Sequence, residues 1–143
     1  MFDLPVKSVM DRNKFITVSP DHTISQAAQL MAHKHFGVVW VIDDAQLVGV
    51  LTERDVVFRV IGQGLDPHTT QVQTAMTHHP QSIGLEDAFG TALIKMHTHG
   101  VRHLPVVEQG QAIGVVSARH AMDPELDEFV SEARRREHYQ TRP

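Results

Sequence analysis

The chain repeats itself at an interval of 65 residues, and this duplication limits the folds it can adopt more than any other feature of the sequence. Residues 49–55 (GVLTERD) match residues 114–120 (GVVSARH). Met10 and Met76 also correspond, at an interval of 66, so the second copy is one residue shorter near its start. The sequence therefore predicts two similar structural units in tandem.

The first half of each copy reads as a short strand followed by a helix. Residues 15–18 (FITV) suit a short strand, and Ser19 and Pro20 suit a helix N-cap and first turn. Apolar residues then recur at helical spacing as far as Met31, and Gly37 marks the end of the helix. The same spacing in the second copy predicts a helix that carries Leu85, Ala88, Phe89, Ala92 and Met96.

The second half of each copy reads as a hairpin followed by another helix. Two β-branched runs, residues 38–42 and 47–51, flank the polar turn 43–46, and Thr52 suits the cap of the helix that follows. Glycine and proline in residues 62–67 indicate a linker. The second copy has its strands at residues 104–107 and 112–116.

These elements predict an α/β (α+β) fold of two strand-helix-strand-strand-helix units packed sheet against sheet, since neither unit can bury both of its apolar faces alone. The repeats span residues 6–65 and 72–122. A helical tail, residues 123–143, has apolar Leu126, Phe129 and Val130 on one face and favours a contact with a second module.

Composition narrows the classes of function. The 143 residues include no cysteine, which excludes disulfides and thiolate chemistry and fits a reducing cytoplasm. A net charge of -4 argues against general binding to nucleic acid or to a membrane surface, and no apolar run is long enough to span a bilayer. No arrangement of nucleophile, base and acid suggests an enzyme.

Several short motifs, in order and in duplicate, resemble those of a pair of CBS (cystathionine-β-synthase-type) domains, a stand-alone Bateman module. They are Val9-Met10, residues 17–21 (TVSPD), residues 102–107 (RHLPVV) and the Gly-x-x-Thr/Ser that closes each hairpin. The resemblance covers about residues 6 to 122 and implies a pseudo-twofold module. It also implies a regulatory, non-catalytic role, with an adenosine derivative (AMP, ADP, ATP or S-adenosylmethionine) bound between the repeats and read out by an unidentified effector protein. The resemblance further implies a homodimer.

Thr52 and Asp55 are the strongest candidates for ligand binding. A hydroxyl and free backbone amides at a helix N-terminus can hold a phosphate oxygen, and a carboxylate three residues on can accept hydrogen bonds from ribose hydroxyls. The alternative is that both residues only cap the helix. In the second copy Ser117 keeps the hydroxyl, but His120 stands where the acid is expected, which favours one nucleotide site per chain.

The remaining ligand candidates follow from the resemblance together with side-chain chemistry. Base-facing positions are Ile16, Val39, Trp40, Leu104 and Pro105, while Thr17 and Ser82 could bond the base or ribose. Arg102 and His103 are the best candidates for binding phosphate, followed by Arg54 and Arg119, which could instead be solvated first-turn residues. Trp40 could instead be a core or dimer contact.

Eleven histidines raise the question of a metal site. Pairs such as His97 and His99 have suitable spacing, but they fall on predicted helix ends and loops without an acidic cluster. The sequence therefore predicts no metal and no required cofactor beyond the nucleotide ligand.

Overall fold

A computed structural model describes residues 1–12, 15–121 and 132–137 of the chain. The first half contains β1 (Thr17–Val18), α1 (Ile24–Lys34), β2 (Val38–Asp43), β3 (Gln46–Thr52) and α2 (Glu53–Asp55). The second half contains α3 (Val72–Ala75), β4 (Thr77–His78), α4 (Phe89–His99), β5 (His103–Glu108) and β6 (Gln111–Ser117). Short 3-10 turns occur at Val6–Ser8 and Ala118–Ala121, and residues 132–137 are helical.

The strands form one sheet of order β1-β2-β3-β4 and one antiparallel pair, β5-β6. Each predicted hairpin is confirmed, and the two have the same register: Val38 pairs with Thr52, and His103 with Ser117. Positive φ angles at Asp44 (50°) and Ala45 (65°) give the first hairpin its tight two-residue turn. In the second hairpin Gln109 and Gly110 have similar angles.

Both long helices begin later than the sequence indicates. Thr23, not Ser19, caps α1: its hydroxyl accepts the Gln26 N–H at 3.1 Å, and the Gln26 side chain accepts the Thr23 N–H in return. Ser19 instead forms a local turn with His22. Helix α4 begins at Phe89, so the prediction that Leu85 and Ala88 lie on it was wrong.

The helix after β3 is irregular. Its single α-helical turn is followed by a π-helical turn, Val56–Val60, and a 3-10 turn, Ile61–Gln63. Val60 is buried in the first core, whereas Val57 and Phe58 are exposed. The π turn therefore exposes apolar side chains, whereas a regular amphipathic helix would bury its apolar face against the core.

The two units exchange their opening segments. Val6 is fully buried among second-unit residues that include Phe89, and its N–H donates to the Asp87 carbonyl at 2.8 Å. In the other direction, Val72 and Met76 are buried in the core of the first unit. The packed units therefore do not coincide with the sequence repeats, because each repeat supplies its first residues to the other's core.

A third apolar cluster joins the two units. Val38 and Trp40 of β2 pack with Val115 of β6, and all three side chains are buried. At the hairpin turns the Leu47 N–H donates to the Gly110 carbonyl at 3.4 Å. This inter-unit cluster is the predicted contact between the sheets.

Candidate functional site

The candidate ligand residues collect at one end of each hairpin, where the last strand meets the turn that follows. Thr52 ends β3 and Ser117 ends β6, and each begins a hydrogen-bonded cap. We refer to these as the first cap and the second cap.

In the first cap, Asp55 and Thr52 bond one another three times. Asp55 Oδ2 accepts the Thr52 N–H at 2.9 Å and the Thr52 hydroxyl at 3.0 Å, and Thr52 Oγ1 accepts the Asp55 N–H at 3.2 Å. The other carboxylate oxygen, Oδ1, lies 3.5 Å from Arg59 Nε. Because that distance exceeds an ordinary hydrogen bond, Oδ1 keeps the capacity to accept further donors.

Arg59 was not a candidate from the sequence. Besides its contact with Asp55, its guanidinium donates to the Ala75 carbonyl at 3.3 Å, which connects the first cap to α3. Its spacing of four residues from Asp55 was the available signal, since such pairs are neighbours on a helix.

In the second cap, His120 does what Asp55 does in the first. His120 Nδ1 accepts the Ser117 N–H at 3.1 Å, and Ser117 Oγ accepts the Arg119 N–H at 2.9 Å. Since Nδ1 is the acceptor, the proton of the neutral imidazole is on Nε2. The cap is thus intact with an imidazole in place of the carboxylate.

Four basic residues surround the second cap: Arg102, His103, Arg119 and His120, which we call the basic cluster. The Ala118 N–H donates to the Arg102 carbonyl at 2.9 Å, which holds the start of β5 against the turn after β6. Burial lowers the pKa of His103, and the nearby charges of His120, Arg102 and Arg119 lower it further. Within the part of the chain that the structure describes, the residues that shift this pKa through their charge are all basic.

Phe36 connects the first cap to the basic cluster. Its ring meets the His103 imidazole edge to face, with centroids 5.4 Å apart. The next residue, Gly37, accepts the Glu53 N–H at the first cap. The basic cluster of one unit therefore lies beside the cap of the other.

Four predicted base-facing residues are buried. Val39 is fully buried in the first core, Leu104 is buried in the second core, and Pro105 is buried in its strand. Trp40 is 1% exposed and stacks on Phe15, with centroids 6.4 Å apart and rings 20° from parallel. A base could stack on Trp40 only if Phe15 moved, and the structure therefore favours the core role for this residue.

The other candidates are more accessible or lie away from the caps. Thr17 is exposed on β1, and Ile16 is half-buried, with its carbonyl accepting the Trp40 N–H at 2.8 Å. The Ser82 carbonyl accepts Lys95 Nζ at 2.7 Å. The Arg54 guanidinium lies 4.9 Å above the Phe58 ring, so it is directed along the helix surface. Their roles in binding remain predictions.

Residues 1–12, 15–121 and 132–137 contain neither a cluster of metal ligands nor a membrane-spanning helix. No group of three or more potential metal ligands comes together in this part of the chain. No helix within it is long and apolar enough to cross a membrane. Glu132 and Arg136, four residues apart, form an ion pair at 2.9 Å, whereas Leu126, Phe129 and Val130 lie outside the described residues.

Comparison with known proteins identifies similar sequences and structures. The family model of the CBS domain matches residues 6–62 and 71–124. The CBS domain-containing protein YhcV of Bacillus subtilis is 36% identical over 104 residues, which cover 71% of each protein. Several other curated relatives are much longer, and the chain spans only 17% to 21% of their length.

Solved structures show the same fold. A conserved protein from Pyrococcus horikoshii superposes with a TM-score of 0.77 at 29% identity, covering 85% of this chain and 92% of that one. A CBS domain pair in complex with 5′-methylthioadenosine and S-adenosylmethionine superposes with a TM-score of 0.74 at 20% identity. That superposition covers 82% of this chain and 96% of the other.

Proposed function

Since the chain belongs to the CBS domain family, we propose that it is a regulatory module that binds an adenine nucleotide and has no catalytic activity of its own. The observation that carries the proposal is the contact between the first cap and the basic cluster, made through Phe36 and His103. It brings the ends of the two units that carry the Asp55 carboxylate and the basic cluster next to one another, which supports a single site made from both. The adenosyl ligands of the structurally similar CBS pair support the same ligand class.

In this proposal each part of the nucleotide has its own partners. Asp55 Oδ1 accepts ribose hydroxyls while Oδ2 maintains the cap, and Thr52 holds the strand end beside it. Arg102 and His103 hold the phosphates, because a guanidinium can donate two parallel hydrogen bonds to a phosphate. In the second cap His120 takes the position of the carboxylate, so we propose one nucleotide per chain.

Calorimetric titration with AMP, ATP and S-adenosylmethionine tests the proposal. We expect saturable binding of at least one of them, with a stoichiometry near one per chain. Two equal sites would contradict the assignment to the first cap.

The second candidate function is a structural or interaction module with no physiological nucleotide. It is favoured by the fact that Asp55 and His120 both serve as capping residues, so neither needs a ligand to account for its position. Failure of all three titrations would support this alternative.

We also propose that the module works as a homodimer. The helix after β3 and the linker that follows it expose apolar side chains that a second copy would cover. These are Val57, Phe58, Ile61 and Leu65, which are between 42% and 60% exposed. Light scattering should give twice the monomer mass at micromolar concentration.

A cytoplasmic location and an effector protein complete the proposal. The absence of cysteine supports a reducing compartment. The effector would read a change in the relative position of the two units. Cell fractionation would test the location, and capture of protein partners with and without AMP would test the readout.

A further inference from the structure

The two units expose apolar side chains at different places. In the first unit these side chains belong to the helix after β3 and its linker, and we call them the first face: Val57, Phe58, Ile61 and Leu65. In the second unit they belong to the N-terminal segment and to α4, and we call them the second face: Met1, Phe2, Leu4 and Ile94, which are between 46% and 70% exposed. Exposed apolar surface of this kind marks a contact with another protein surface.

The second face is fixed in place by backbone hydrogen bonds between the N-terminal segment and α4. The Gly90 N–H donates to the Phe2 carbonyl at 2.9 Å, and the Phe89 N–H donates to the Leu4 carbonyl at 2.8 Å. A Cβ at Gly90 would lie 3.3 Å from the Cβ of Phe2, so Phe2 lies directly against the helix. Ile94 follows Gly90 by one helical turn and is therefore on the same side of α4 as Phe2.

The two faces do not correspond to one another through the internal repeat. Residues 68–70 (HTT) take the place in the first unit that residues 2–4 (FDL) take in the second, since the last carbonyl of each segment accepts the first N–H of a long helix. The segment that is apolar in the second unit is thus polar in the first. At the interval of 65 residues the same contrast holds for two further pairs, Gln29 with Ile94 and Phe58 with Asp123.

The charges of the two faces are opposite. The Arg54 guanidinium lies 4.9 Å above the Phe58 ring, which places a cation on the first face. The neighbouring acid, Glu53, is turned onto Gly37 instead. Asp3 is exposed within the second face. If each face met its own copy, like charges would come together, whereas contact between a first face and a second face brings a cation towards an anion.

We propose that two copies of the chain pack antiparallel, with the first face of each copy against the second face of the other. A twofold axis forms this contact twice, so both faces of both copies are covered and the assembly closes as a dimer. This inference rests on the proposed homodimer and adds to it the orientation of the subunits and the contribution of the N-terminal segment.

Cross-linking of introduced cysteines tests the orientation. The chain has no cysteine of its own, so Phe58→Cys and Ile94→Cys each supply a single thiol. Each variant is treated with a short bismaleimide alone and as an equimolar mixture, and the linked peptides are identified by mass spectrometry. We expect the mixture to give a covalent dimer that joins positions 58 and 94, and each variant alone to give little. Asp44→Cys, in the exposed hairpin turn, is the control and should give no dimer with either variant.

Charge reversal tests the same contact without a cross-linker. Arg54→Glu should raise the dissociation constant of the dimer by about twofold to fivefold for each exposed ion pair lost, as measured by light scattering over a dilution series. Asp3→Arg should have a similar effect, and the double variant should recover most of the loss because the two charges are exchanged.

The outcomes separate this inference from the proposed function. A dimer in which position 58 links to 58 and position 94 to 94, or in which positions 58 and 94 fail to link, would overturn the orientation and leave the homodimer intact. Additive effects of the two charge reversals would also count against it. A monomeric wild-type protein would overturn both the orientation and the homodimer, while nucleotide binding is measured independently by calorimetry.

Discussion

Replacing Asp55 by asparagine should weaken nucleotide binding while leaving the fold nearly intact. The amide carbonyl of asparagine can still accept the Thr52 N–H, so the first cap retains its acceptor. What is lost is the negative charge that strengthens hydrogen bonds from ribose hydroxyls to Oδ1. One such bond contributes about 1.5 to 3 kcal/mol, which corresponds to at least about a tenfold loss of AMP affinity.

Asp55→Ala separates the binding role from the capping role. It removes the same charge and also leaves the Thr52 N–H and hydroxyl without their acceptor, which should cost about 0.5 to 2 kcal/mol of stability. The pair with Arg59 adds little, since the Arg59 side chain is 54% exposed. Urea unfolding should therefore rank the wild type and Asp55→Asn above Asp55→Ala, whereas both variants should bind AMP weakly.

The assay is calorimetry with AMP and with 2′-deoxy-AMP. The wild-type protein should prefer the ribose form, and both Asp55 variants should bind the two sugars equally. Asp44→Asn provides a matched control, because it makes the same chemical change in the exposed turn at the opposite end of the hairpin. Unchanged affinity in Asp55→Asn, or equal binding of both sugars by the wild type, would show that the ribose is held elsewhere.

Three further predictions concern packing. Gly49→Ala should destabilise the fold by about 1 to 3 kcal/mol in urea unfolding, because a Cβ there would lie 3.0 Å from Met76 Cγ and Cε; unchanged stability would show that Met76 repacks freely. Val6→Ala should cost about 1 to 3 kcal/mol, with one unfolding transition for the whole chain, since Val6 is fully buried in the second core. A separate transition for each unit would contradict that coupling. Phe58→Asp, at a 60% exposed position, should give a monomer by light scattering with unchanged circular dichroism; a persisting dimer would place the interface elsewhere.

Local sequence patterns predicted the hairpins and the first cap well. Two β-branched runs on either side of a short polar turn are typical of a hairpin. Both hairpins are present, and they have the same register. Thr52 and Asp55 are three residues apart, so their pairing depends on a single turn of helix.

The features that the sequence did not reveal depend on contacts between distant residues. The burial of Val6 depends on Phe89, which lies in the other repeat. Likewise, nothing near Phe36 indicates that its ring meets His103. Helix α1 has its N-cap at Thr23 because Gln26 completes a capping box there. In the sequence, Ser19 and Pro20 form an equally suitable helix start four residues upstream.

The exchanged opening segments bear on how the duplicated chain arose. Val6, from the first repeat, fills the core of the second unit, and Met76, from the second repeat, fills the core of the first. A single-repeat ancestor with this arrangement would have needed a second copy to supply the segment that fills its core. Two copies of such an ancestor could fill both cores by exchanging their first residues, as in domain swapping. Duplication and fusion of the gene would then have joined two already entwined subunits into one polypeptide. After that fusion the two halves no longer needed to be identical, which left one free to keep its aspartate and the other free to acquire a histidine.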